Sequence, residues 1–65
     1  MLDVAKIRKL REAAGLSQDD AAKRAGLASR QRWHQIEGGS SINIELDTLE
    51  RIAKALGVKG KDLLK

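Results

Sequence analysis

The chain has 65 residues, with 13 Lys plus Arg, 9 Asp plus Glu, a formal charge of +4 and 42% hydrophobic residues. A chain this short supports one core, expected as one domain over 1–65, because it buries only about 60% of the surface its unfolded form exposes. With no cysteine and one histidine, disulfides, thiolate metal sites and histidine-clustered zinc sites are excluded.

No apolar run approaches the ~20 residues of a membrane span, and none has the form of a secretory signal. The expectation is a soluble, cytoplasmic protein with no cofactor, no metal, no membrane association and no small-molecule ligand. Proline is absent and Trp33 is the single aromatic. Abundant Ala, Leu, Lys, Arg and Glu favour helices over strands.

In chain order, Val4, Ile7, Leu10 and Ala14 share one face of a helix over 4–14, with Asp3 as its N-cap. Ser17 caps a second, short helix over 18–25, with Asp20 completing a short-armed capping box. Ser29 caps a third helix over 30–37, whose core residues are Trp33 and Ile36. A fourth helix covers 46–56, with Leu49, Ile52, Ala53 and Leu56 inward, and a short fifth covers 61–64. Gly15, Gly26, Gly38, Gly39 and Gly57 follow these segments, where a left-handed residue is expected. The fold class is therefore all-α, with five helices. Helices two and three, joined by a short turn at Gly26, have the form of a helix-turn-helix, whose second helix enters the DNA major groove.

The charge is uneven along the chain. Residues 1–20 and 37–65 each sum to zero, so the whole +4 rests on Lys23, Arg24, Arg30 and Arg32. A polyanion-binding surface needs such a field, although an ordinary solvated helix face carries charge too. Helical phase separates the two readings. At about 100° per residue, Trp33 and Ile36 set the core direction, and Gln31 and Gln35 fall roughly 130–170° away from it. Arg30 and His34 lie on one shoulder of that outward face, and Arg32 flanks the core side. Arg pairs bidentately with guanine and Gln with adenine, so the face reads as a base-contacting surface. Trp33 points inward, which disfavours stacking on a base.

The sequence resembles the phage-repressor and Cro (Xre-type) helix-turn-helix family. The resemblance rests on Ile7-Arg8-Lys9-Leu10-Arg11, Gly15-Leu16-Ser17-Gln18, Ala22, Ala25-Gly26-Leu27, Gln35-Ile36-Glu37-Gly38-Gly39 and the run from Thr48 to Val58. It covers essentially the whole chain. It implies a compact five-helix, lambda-repressor-like DNA-binding domain of a transcription regulator. Gln18 then matches a glutamine that holds a phosphate and braces the recognition helix, while Arg30, Gln31 and Gln35 match base-contacting positions. Arg11 and Glu37 match a structural ion pair joining helix one to the end of helix three. The resemblance also implies a homodimer on double-stranded DNA, for which Val58, Leu63 and Leu64 are the apolar candidates; the alternative is that they close the core, which is the favoured reading for Leu63.

The chain departs from the family pattern in three places. The turn before helix three is one residue longer, through Ala28 or Ser29. The loop 38–45 is also longer and reads Ser40-Ser41-Ile42-Asn43 where basic residues are frequent. Trp33 replaces a smaller residue while Ala21 and Ala25 replace larger ones, so the indole is expected to fill the space they leave. The expected phosphate contacts are Gln18, Ser29, Ser40, Ser41 and Asn43, with Lys23, Arg24 and Arg32 adding nonspecific attraction. A protein-interaction module of the same fold, such as an antitoxin or coactivator domain, is the alternative. An enzyme is not expected, because His34 has no partner acid or nucleophile. RNA binding is disfavoured by the lack of exposed stacking aromatics.

Overall fold

Asp3 opens α1 (Val4–Ala13) by accepting a hydrogen bond from the Lys6 backbone N–H at 3.2 Å, satisfying one of the donors a helix start leaves without partners. At the start of α2 (Gln18–Arg24), Ser17 Oγ accepts from the Asp20 N–H at 3.0 Å and Asp20 returns the bond to the Ser17 N–H at 3.4 Å. Two further helices follow, α3 (Arg30–Glu37) and α4 (Leu46–Leu56). Ser29 and Glu45 hold their N-cap positions with extended backbone, but neither side chain makes a capping bond. The computed structural model describes residues 2–39 and 44–65.

Two expectations change in the local structure. The fifth element is not an α-helix but a single 3₁₀ turn, Gly60–Leu63. Four residues are too few to close a regular run of α-type hydrogen bonds, and the tighter turn satisfies the chain instead. After α3, Gly38 keeps right-handed geometry at φ −76° and only Gly39, at φ +76°, is left-handed. One such residue reverses the chain, so the second is not required.

The helices pack around Trp33, Ile7, Ile36, Ile52 and Leu63, the largest fully buried side chains. Trp33 is 0% exposed and shares the core with Ala21 and Ala25. A large indole beside small alanines keeps the interior filled, as close packing requires. α2 packs chiefly on α3, α4 on the 3₁₀ turn, and α1 touches α3, α4 and that turn. Ala14, expected inward, is exposed, and Leu56 is only half-buried, whereas Ala55 is buried against expectation.

The C-terminal segment folds back on the N-terminus. Asp3 N–H donates to the Leu63 carbonyl at 2.8 Å, and Leu2 and Leu64 form an isolated antiparallel bridge. Leu63 is 0% exposed. It closes the core and is removed from the dimer candidates, because a residue without accessible surface has none to offer a second copy. No helix among the described residues is long and apolar enough to cross a membrane.

Candidate nucleic-acid interface

The orientation of α3 is set from beneath. Glu37, on its last turn, accepts two bonds from Arg11 of α1, from Nε at 2.7 Å and from Nη2 at 3.2 Å, in a bidentate pair. The Trp33 indole N–H donates to the same carboxylate, and Arg11 Nη1 donates to the Leu16 carbonyl at 2.8 Å. Only 11% of the Arg11 side chain and 5% of the Glu37 side chain are exposed. The hydrogen bond to Glu37 is the main cause that holds the Arg11 guanidinium above its usual pKa, so it stays charged at any ordinary pH. This cluster ties together α1, the turn after it and the end of α3.

With Trp33 and Ile36 fully buried, the opposite side of α3 is left in solvent. Arg30, Gln31, His34 and Gln35 are all exposed. Arg32 is half-buried on the flank of the helix. Gln18, the first residue of α2, lies beside α3, with its Oε1 3.3 Å from His34 Nδ1; the pair forms a hydrogen bond when that ring nitrogen carries the proton. An open hollow of about 420 Å³ and another of about 650 Å³ lie on different sides of α2, and the larger is lined by Gln18, Ser29, Arg30, Gln31 and His34. Every side chain lining that larger hollow carries a hydrogen-bonding group, suited to base edges and phosphate oxygens. Ser29, whose side chain makes no capping bond to its own helix, is among the residues that line it.

Lys23 and Arg24 do not join this set. They line the smaller hollow, between the end of α2 and α4, together with Arg51 and Lys54. Lys23 is also paired with Asp19 at 3.2 Å. Ser40, Ser41 and Asn43 lie outside the described residues. Among the other apolar candidates, Leu64 is 46% exposed and Val58 half-buried.

Sequence reasoning assigned no role to Arg8. It lines a third hollow with Arg11, Gln18, His34, Glu37 and Gly38, next to the outward face of α3. Its only ion pair among the described residues is a loose one, 3.6 Å to Glu12, with 67% of the side chain exposed. The signal was present in the sequence: Arg8 stands three residues before Arg11, hence on the same side of α1.

Residues 4–64 match the family described as a helix-turn-helix domain. No curated protein and no solved structure matches the chain. The fold and the match agree with the resemblance to phage repressors and Cro, and the chain belongs to the helix-turn-helix domain family.

Proposed function

We propose that the chain is a sequence-specific, double-stranded DNA-binding transcription regulator of repressor type, with α3 seated in the major groove. The observation that carries the reading is the division of α3: Trp33 and Ile36 are 0% exposed while Arg30, Gln31, His34 and Gln35 all stand in solvent. A short helix pinned from below, with long amide and guanidinium side chains outward, has the shape and the donors that major-groove reading needs.

In this reading Arg30, Gln31, His34 and Gln35 contact bases. Gln18 and Ser29 bind phosphate, with Arg8 beside Gln18 and the loop residues Ser40, Ser41 and Asn43 assigned to the same task from their chemistry. Arg32 adds attraction at the flank. Lys23 and Arg24, exposed at the far end of α2, add nonspecific attraction as well. One domain makes a small interface, so the working unit is a homodimer on two half-sites about 34 Å apart, with Val58 and Leu64 as apolar candidates for the joint.

Selection of bound duplexes from a random library tests the reading. An enriched half-site, repeated as a palindrome, is the expected result. Arg30→Ala and Gln31→Ala should each cost about 1–3 kcal/mol and relax preference at one base pair. Affinity should fall with salt at a slope of about −0.9 for each of roughly four to six phosphates per domain. No enrichment, together with binding only to a protein, would favour the interaction-module alternative.

A further inference from the structure

The hollow beside Arg30 and Gln31 and the hollow beside Arg8 share two lining residues, Gln18 and His34, so that pair stands between them. Gln18 is half-buried and His34 exposed. They meet through Gln18 Oε1 and His34 Nδ1, 3.3 Å apart. With Oε1 turned to the ring, the amide NH₂ of Gln18 is the end left for an outside acceptor, and Nε2 is the ring's other polar atom. The charged groups lining the two hollows are Arg8 and Arg11 from α1 and Arg30 and Glu37 from α3, while α2 brings only the uncharged Gln18. Glu37 already accepts from Arg11 and from the Trp33 indole.

Resting on the DNA-binding reading, we infer that binding a duplex takes up a proton on His34, and that the charged ring holds Gln18 with its NH₂ toward a phosphate. A neutral imidazole carries one N–H, and the site has two uses for it. With the proton on Nδ1, the ring donates to Gln18 but meets the base with a bare Nε2, which cannot bond an acceptor such as guanine N7 or O6. With the proton on Nε2, the ring reaches that base, but Nδ1 then faces Gln18 Oε1 as acceptor against acceptor. Gln18 must turn its amide over to donate to the ring, and the oxygen it then presents outward repels a phosphate. Only the imidazolium donates at both ends. The phosphates of the duplex supply the negative charge that favours this form, whereas the one carboxylate lining these hollows is already held by Arg11 and Trp33. His34 is thus a positioning residue for Gln18 as well as a base contact. Histidine is the side chain whose ordinary titration falls between pH 5 and 8, and the chain has only one. Because the protonated form binds more tightly, affinity falls as pH rises through that range.

The test uses a duplex selected from a random library at pH 6 and measures its dissociation constant at pH 6 and pH 8, at one fixed ionic strength. The expected weakening at pH 8 is about fivefold for each bound chain, as one proton taken up on binding requires. His34→Gln keeps a donor for Gln18 but does not titrate; it should bind with nearly the same constant at both pH values and give an unchanged circular dichroism spectrum. In the free, isotope-labelled chain, the side-chain NH₂ resonances of Gln18 should move with the titration of the His34 ring followed by NMR. Equal wild-type affinity at the two pH values overturns the proposal while leaving the DNA-binding reading in place. So does a His34→Gln variant that keeps the wild-type pH dependence, or a Gln18 amide that ignores the titration of the ring. Binding of no duplex at either pH removes the DNA-binding reading, and the proton uptake with it.

Discussion

Replacing Glu37 by Leu asks how much of the interface rests on one carboxylate. The change removes both Arg11 bonds, at 2.7 and 3.2 Å, and the acceptor of the Trp33 indole N–H. Arg11 keeps only its bond to the Leu16 carbonyl, with 11% of its side chain exposed. Stranding a charge by breaking a buried pair costs about 3–5 kcal/mol, and an orphaned indole donor about 1–3 kcal/mol. The two losses overlap because one residue serves both, and Leu recovers some apolar burial, so a net of about 3–4 kcal/mol is expected. A 65-residue domain has roughly 3–10 kcal/mol of stability in all, so Glu37→Leu should remove at least about a third of it. Glu37→Gln keeps an acceptor and should cost about half as much. Arg11→Met combined with Glu37→Leu should recover much of the loss, since apolar replacement of both partners leaves no stranded charge. Urea unfolding followed by circular dichroism and Trp33 fluorescence measures all three. A Glu37→Leu cost under about 1 kcal/mol would refute the cluster as the anchor of α3, as would a double variant less stable than the single one.

Three smaller perturbations bear on the core, a helix cap and a turn. Trp33→Ala empties the largest fully buried position and should cost about 3–5 kcal/mol; a folded variant that still binds a selected duplex would show that the indole does not hold the core. Ser17→Ala removes the capping bond to Asp20 and should lower stability by about 1 kcal/mol in urea melts, with none of the loss recovered by salt. Gly57→Ala should cost about 1 kcal/mol from backbone alone, because φ is +74° there while an added Cβ would meet nothing within 4 Å; a larger loss would mean a contact rather than a torsion sets the position.

Much of the local structure was legible in the residues themselves. Asp3, Ser17 and Ser29 mark helix starts, and α3 and α4 run over the spans that periodicity and capping indicate. The inward phase of Trp33 and Ile36 follows from helical rotation alone, and with it the outward face of α3. Both are short-range properties: a cap is a contact over three residues, and phase is a fixed turn per residue.

What required the packed molecule is everything that depends on which helix meets which. Ala55 is buried and Ala14 exposed although both are alanines near helix ends, because α4 runs beside the end of α2 whereas the end of α1 is left uncovered. Of the basic residues of 21–36, one block on paper, Lys23 and Arg24 line one hollow and Arg30 another, because the last turn of α2 lies beside α4 whereas Arg30 opens α3. Arg8 joins the rim of the α3 face, and Leu63 vanishes into the core, for the same reason. The sequence determined the four α-helices and the inward side of α3. The tertiary structure alone decided the neighbours, because burial is set by contacts between residues far apart in the chain, and periodicity within one helix carries no information about them.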